Sequence, residues 1–251
     1  MKIHGTAKGG ALSKKDFGVA FGGGAAGFTP NDISDLWAWY TATTSDDMTL
    51  SGTSITVWNP QDGDTDKQLI ADSTGVAPTF DDDGHNDKGI AKFDGTEWMH
   101  TNDDSYELTQ PFTFAIAMKF PTAVAKRTIF DCDDTGNRIL HRNNDSTAGT
   151  QLQIHNGATY ESNDEGVIAA TWGYEIIVVS GTDTKWHING TDVAPAGIDV
   201  TDDFNPITIG ADHGGNNDIT GDIMHFIIYH KALDDDEIEE LEEYLADQVG
   251  L

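Results

Sequence analysis

Acidic turns carry the first candidate chemistry in this sequence. Residues 131–137 read DCDDTGN, with oxygen-bearing side chains at alternate positions and a glycine that can turn the chain. This spacing matches the first half of a calcium loop, although position 12 is Arg142 where such a loop carries glutamate. Residues 211–218 (ADHGGNND) form a second oxygen-rich loop. Because Ca²⁺ takes oxygen ligands, we expect it to be bound by residues from these loops: Asp131, Asp133, Asp134, Asn137, Asp212, Asn216 and Asp218.

A simpler role is open to the same side chains. Aspartate and asparagine often accept hydrogen bonds from nearby backbone N–H groups and so stabilise turns. A third acidic turn, DGDTD (62–66), has the calcium-loop spacing without the glycine. The sequence therefore leaves calcium binding and turn formation open. Zinc is not expected, because the nine histidines form no H-x-x-x-H pair.

Aromatic side chains in polar turns are the second candidate chemistry, because the C–H face of a sugar ring stacks on an aromatic ring. Residues 96–107 (TEWMHTNDDSYE) hold three of them, and two more lie in other turns. We expect glycan contacts from Trp98, His100, Tyr106, Tyr160 and His213. Packing of a partly buried loop aromatic is the alternative for each.

The charge of the chain excludes one class of partner. The 251 residues have a formal net charge of −29, and residues 1–30 hold four of the lysines. So negative a surface repels nucleic acid, and we expect no binding to it. Cys132 is the only cysteine, so no intrachain disulfide forms. No apolar run reaches the roughly 20 residues of a membrane span, and the N-terminus has no Sec-type apolar stretch.

The elements that must position these side chains are mostly strands. Short segments with alternating polarity, separated by Gly, Asp and Asn, predict strands at 55–58, 112–120, 127–130, 151–155, 174–180, 184–189, 207–210 and 222–230. In the 112–120 segment, large apolar residues such as Phe114 alternate with small ones such as Ala115. We expect both faces of that strand to be covered.

One helix is predicted, at the C-terminus. Asp234 is a plausible N-cap, and Gly250 is placed to end the helix. Its apolar stripe is Ile238, Leu241, Leu245 and Val249. We expect this stripe to seal one edge of a β-sandwich.

Several segments together resemble laminin-G-like, concanavalin A-like domains. These are DLWAWYTA (35–42), VWNPQDG (57–63), AKFDG (91–95), WHINGTDV (186–193) and the closing strand and helix within 207–251. The resemblance covers residues 28–251. It implies an all-β jelly-roll sandwich of two antiparallel sheets with about 12–14 strands and one C-terminal helix. In that family a calcium often sits between loops at the sandwich rim.

The resemblance also bears on catalysis. Laminarinases and alginate lyases share this fold, but the laminarinase-type E-x-D-x-x-E signature is absent. Residues 153–155 (QIH) match one alginate-lyase triplet, without the arginine-rich and tyrosine-rich strands that accompany it. We therefore expect no enzyme activity.

Residues 1–27 are predicted to form an extended, glycine-rich basic arm that precedes the domain at 28–251. Its apolar residues are spaced as anchors, and its lysines oppose the acidity of the remaining chain. We expect contacts with a partner through Ile3, Leu12, Lys14, Lys15, Phe17 and Phe21.

These features lead to an expected function. The arm, the acidic domain and the missing signal peptide predict a virion surface structural protein: a head decoration, fibre or tail adhesin. It would be anchored through residues 1–27 to other virion subunits, be oligomeric in the assembly and bind a host-surface glycan. The first alternative is an extracellular carbohydrate-binding module of a non-viral microbe. The second is a polysaccharide-cleaving enzyme of the same fold.

Overall fold

The computed structural model consists of short antiparallel strands and one α-helix. It describes residues 27–73, 75–101, 108–119, 127–132, 139–144, 150–156, 160–167, 170–181, 183–193 and 207–251, with the backbone alone for 139–144, 150–156 and 160–167. The elements are β1 (Leu36–Thr41), β2 (Met48–Ser51), β3 (Ser54–Trp58), β4 (Leu69–Ile70), β5 (Thr79–His85), β6 (Lys88–Asp94), β7 (Met99–Thr101), β8 (Phe112–Lys119), β9 (Arg127–Cys132), β10 (Ile139–Asn144), β11 (Thr150–Asn156), β12 (Tyr160–Val167), β13 (Trp172–Val179), β14 (Lys185–Ile188), β15 (Thr191–Asp192), β16 (Ile207–Ile209), β17 (Thr220–Tyr229) and α1 (Asp235–Val249).

The strands form two layers. In the back layer, β17 pairs with β8, β1 and β6; β5 pairs with β6, and β13, β14 and β15 extend the other side from β8. The front layer has the order β2-β3-β4-β7-β16-β9-β10-β11-β12. A single pairing, Ser54 with Thr79, joins the layers at one edge. The predicted all-β fold is confirmed, with 17 described strands where the resemblance implied about 12–14.

The main core lies between the layers. Phe114 of the back layer meets Phe130 of the front layer at a ring-centroid distance of 4.9 Å, and Tyr40 meets Trp58 at 6.1 Å. Such buried rings contribute much of the apolar area that stabilises a sandwich. Trp39, Trp58 and Trp186 are buried. Trp172 is half-buried and stacks on His85 at 4.3 Å.

Helix α1 covers the outer face of the back layer. Asp234 caps it by accepting a hydrogen bond from the Glu237 N–H, and Gly250 ends it with a φ of 79°. The predicted stripe is buried against small residues of β8, including Ala115 and Ala117. The helix therefore covers a face, and the expectation that it seals an edge is wrong. Among the described residues, no helix is long and apolar enough to cross a membrane.

A buried histidine lies between α1 and the back layer. His225 of β17 is fully buried, and its Nδ1 accepts a hydrogen bond from Trp39 Nε1 at 3.3 Å. Nε2 lies 3.4 Å from Gln248 Oε1 on α1 and donates to it. This arrangement requires the neutral ring with its proton on Nε2. Burial, assisted by the charge of Lys88, lowers the pKa of His225 to about 3 despite the Gln248 hydrogen bond.

We expect His225 to make stability depend on pH. Histidine in an unfolded chain titrates near pH ~6.5, so this contribution to the free energy of unfolding is fully present above that pH. It is lost as pH falls toward the folded-state pKa, by roughly 1.4 kcal/mol per pH unit. Urea unfolding of the wild type and His225→Gln should show their stability difference shifting against the wild type by about 2–3 kcal/mol between pH 6.5 and 4.5. A difference independent of pH would contradict this assignment.

Candidate functional site

The loop between β16 and β17 is closed by backbone hydrogen bonds. The Ile219 N–H donates to the Gly210 carbonyl at 2.8 Å, and the Gly210 N–H donates to Ile129 of β9 at 2.8 Å. Gly210 and Gly215 have positive φ values of 92° and 66°, which L-residues rarely adopt. Thr128 of β9 also donates its N–H to the Asn217 carbonyl. The loop is therefore held firmly against the front layer.

Asp212 organises this loop from within. Its Oδ1 accepts hydrogen bonds from the N–H groups of Gly214 (3.1 Å) and Asn216 (2.8 Å). Its Oδ2 accepts from Asn217 Nδ2 at 2.8 Å. Asp131 of β9 is fully buried, and its Oδ2 accepts a hydrogen bond from the His213 N–H at 2.9 Å. These carboxylates take the turn-forming role that the sequence left open.

Hydrogen bonds within the loop already engage one of the predicted calcium ligands. Both oxygens of Asp212 already accept hydrogen bonds from the loop. Asp218 has one buried oxygen, Oδ1, without a hydrogen bond, and burial raises the pKa of its carboxyl. In the part of the chain that the structure describes, no group of three His, Cys, Asp or Glu residues could hold a metal. Asp133, Asp134 and Asn137 lie outside the described residues, so calcium binding stays a prediction.

A lysine bridges two carboxylates of the third acidic turn. Lys67 Nζ lies 3.1 Å from Asp62 Oδ2 and 3.2 Å from Asp64 Oδ2. A carboxylate oxygen of each residue also accepts a backbone N–H, which forms consecutive turns. The Lys67 ammonium group therefore occupies the position between these carboxylates that a calcium ion would take in a loop of this spacing.

An aromatic platform lies beside the 210–218 loop. The Trp98 ring packs on Gly215, where an added Cβ would lie 3.0 Å from the indole. His100 of β7 lies next to it, with ring centroids 5.4 Å apart. Asp72, which follows β4, places Oδ1 3.0 Å from His100 Nε2. We refer to Trp98, His100, Asp72 and the loop 210–218 as the rim site.

Both rings of the rim site are accessible. Trp98 is half-buried, and the His100 side chain is 26% exposed. His213 of the loop is exposed, while its backbone holds Asp131. The fold thus brings together Trp98, His100 and His213 from the aromatic set with Asp212, Asn216 and Asp218 from the acidic set. Asp131 lies beneath the loop.

Other predicted contacts are not gathered here. Tyr106 lies outside the described residues. Tyr160 begins β12, where its backbone pairs with His155 of β11, and its side chain is not described. Residues Ile3, Leu12, Lys14, Lys15, Phe17 and Phe21 also lie outside the described residues. A partner for the 1–27 segment therefore stays a prediction.

The polar groups that line a neighbouring cavity interact with other groups of the protein. It measures about 430 Å³ and lies on β5, β6 and the turn that precedes Trp98. Lys92 pairs with Asp81 at 3.4 Å. Glu97 accepts the N–H groups of Asp94 (2.6 Å) and Thr96 (3.2 Å). The rim site, with its accessible rings, is the better candidate for a ligand.

Sequence reasoning missed Asp72 and Gly215. Asp72 reaches His100 because β4 pairs with β7, with Ile70 opposite His100. Nothing local in ADST (71–74) indicates that pairing. Gly214-Gly215 is a sequence signal for a turn. The close approach of the Gly215 backbone to the Trp98 ring depends on the tertiary structure and could not be predicted from that signal.

Comparisons with solved structures find similar folds in glycan-processing proteins. Trypanosoma rangeli sialidase, in complex with 2,3-difluoro-KDN, has a TM-score of 0.61 and 12% identity, covering 86% of this chain and 33% of the sialidase. The chain thus spans about a third of the sialidase's length. Domain 4 of AbnA, a GH43 extracellular arabinanase from Geobacillus stearothermophilus in complex with arabinotriose, has a TM-score of 0.59 and 16% identity, covering 86% of this chain and 98% of that domain. At these identities the likeness shows the fold alone.

These comparisons contradict the predicted virion surface structural protein. The similar structures are a sialidase and an arabinanase domain, and nothing found supports a virion. That prediction rested on the basic composition of residues 1–27, on the acidity of the domain and on a missing signal peptide. None of these features specifies an assembly partner.

The family assignment comes from a sequence comparison. A search of curated proteins found no match. A family model described as the concanavalin A-like lectin/glucanases superfamily matches residues 93–239, more than half of the chain. The match includes the turn at Trp98, the front-layer strands β7 and β16, and the 210–218 loop. The chain belongs to the concanavalin A-like lectin/glucanases superfamily.

Proposed function

We propose that this domain binds carbohydrate at the rim site and does not cleave it. The accessible Trp98 ring beside His100 and Asp72 carries the proposal. An indole face stacks on the C–H face of a sugar, and side chains at its edge can hydrogen-bond the hydroxyls. Trp98 is held in place by Gly215, so little ordering is needed when a ligand binds.

The comparisons support this class of function. The sialidase and the arabinanase domain were solved with a sugar derivative and with arabinotriose, respectively. The match covers 98% of the arabinanase domain, which supports the proposal that this chain acts as an independent binding module. The arabinanase is extracellular, and we place this chain outside the cell as well.

Affinity electrophoresis against a panel of soluble polysaccharides tests the binding. We expect retardation by at least one polymer, and a dissociation constant on the order of 0.1 mM for its oligosaccharides by calorimetry. Arabinotriose is included as a defined probe. Absence of retardation by every polymer, at about 1 mM saccharide binding sites in the gel, roughly tenfold above that constant, would contradict the proposal.

A reducing-end assay on the bound polymer tests the non-catalytic part. We expect no new reducing ends after prolonged incubation, with and without added Ca²⁺. Release of reducing ends, with a shortened polymer by size-exclusion chromatography, would show cleavage and overturn this part alone.

A further inference from the structure

The surroundings of the rim site are rich in negative charge. Glu97 immediately precedes Trp98, and Asp72 contacts His100. Asp212 and Asp218 lie in the loop that supports the indole. Burial raises the pKa of the Asp218 carboxyl; the charge of Arg127 lowers this pKa and the charge of Asp212 raises it. Asp212 and Asp218 are close enough to repel one another, and a negatively charged ligand at the rim site would also be repelled by them.

The basic side chains described near the rim site already have hydrogen-bond acceptors. The Arg127 guanidinium donates to the Asp218 carbonyl oxygen at 3.0 Å, and His100 lies against Asp72. In the residues that the structure describes, every lysine lies within 4.0 Å of a carboxylate: Lys67, Lys88, Lys92, Lys119, Lys185 and Lys231. Recruiting one of them for a ligand anion would break an existing ion pair.

We infer that the rim site selects uncharged sugars and excludes those that carry carboxylate, sulfate or phosphate groups. This inference rests on the proposed function, namely that the rim site binds carbohydrate. A neutral sugar stacks on Trp98 and uses the flanking carboxylates as acceptors for its hydroxyl groups. A sugar acid would place its charge within the field of several carboxylates, and the basic side chains described near the rim site already have acceptors.

Matched oligosaccharide pairs test this selection. Each pair shares its stereochemistry and differs only in a C6 alcohol or carboxylate: cellotriose and tri-glucuronic acid, galactotriose and tri-galacturonic acid, mannotriose and tri-mannuronic acid. Calorimetry is performed in EDTA at about 20 mM and about 500 mM salt. We expect the charged member of a binding pair to bind at least tenfold more weakly at low salt. The ratio of the two dissociation constants, charged over neutral, should fall severalfold at high salt, because the Debye length falls from about 20 Å to about 4 Å.

Two variants separate local charge from net charge. Asp72→Asn keeps an oxygen that can accept a hydrogen bond and removes the charge. We expect it to reduce the ratio of the two dissociation constants about threefold. Asp247 lies on α1 with its side chain 82% exposed. Asp247→Asn changes the net charge by the same amount and should leave the ratio of the two dissociation constants unchanged. Equal effects of the two variants would overturn the local origin of the selection.

The outcomes distinguish this inference from the proposed function. Binding of neutral members together with equal or tighter binding of their charged partners would overturn the inference alone. Uronate binding that appears only with added Ca²⁺ would also overturn it, because a metal would then recruit the anion. Absence of binding by every member, together with absence of retardation by every polymer of the panel, would overturn the proposed function, and this inference with it.

Discussion

Replacement of Trp98 by alanine should weaken glycan binding at least tenfold, which corresponds to about 1.4 kcal/mol. The indole is the platform of the rim site, and alanine offers no face on which a sugar can stack. Truncated aromatic anchors at the centre of a binding site commonly cost this much or more. Trp98→Phe keeps a smaller ring and should bind with intermediate affinity. Calorimetry with the best oligosaccharide of the affinity screen measures the effect.

The chain offers a matched control for this substitution. Trp172 is also half-buried, but it stacks on His85 at the back layer, away from the rim. Trp172→Ala should leave the affinity within twofold of the wild type, even if it lowers the melting temperature. Unchanged binding in Trp98→Ala, or equal losses in the two variants, would place the sugar elsewhere.

Gly210→Ala should destabilise the fold by about 3 kcal/mol. Gly210 has a φ of 92°, and an added Cβ would lie 2.5 Å from Phe93 Cε1 and 2.9 Å from the Glu97 carbonyl oxygen. Phe93 belongs to the core between the layers, and Glu97 precedes Trp98. Relief of the clash must displace a core ring or the turn that carries the indole. Urea denaturation, with glycan affinity measured below the transition, reports both effects.

Gly63→Ala separates backbone strain from the steric clash. Gly63 has a comparable φ of 72°, but a Cβ there would have no neighbour within 4 Å. We expect it to cost only about 1 kcal/mol, from the positive φ alone. If both variants lost the same stability, the close packing around Gly210 would contribute nothing, and the predicted link between the core and the rim site would be wrong.

Local elements could be predicted well from the sequence. The C-terminal helix has its predicted cap, stripe and terminating glycine, since each depends on residues within a few turns. Asn189-Gly190 forms the tight turn that this dipeptide favours, with φ values of 48° and 77°. The small residues of β8 correctly predicted that its second face is covered. That α1 covers this face could not be predicted. A helix that packs on a sheet face and one that packs on a sheet edge both need the same apolar stripe.

The candidate site could be predicted only in part. The sequence identified Trp98 and the acidic 211–218 loop, but it assigned them to separate functions, a sugar contact and a metal site. The fold places them side by side, and it uses Asp212 to hold the loop that supports the indole. Hydrogen bonds inside a turn and ligand bonds to a cation require the same oxygens at the same spacing. Only the positions of the backbone N–H groups distinguish these two roles.

The sequence by itself determined the strands, the helix and the residue types available to a glycan, because alternation, capping and turn chemistry act within about ten residues. Only the tertiary structure decided that Asp72 meets His100, that Asp131 lies buried beneath the loop, and that Lys67 pairs with both Asp62 and Asp64. The first two depend on the order and register of strands far apart in sequence. Order and register follow from burial summed over the whole sandwich, and the direction of the Lys67 side chain follows from its packing there.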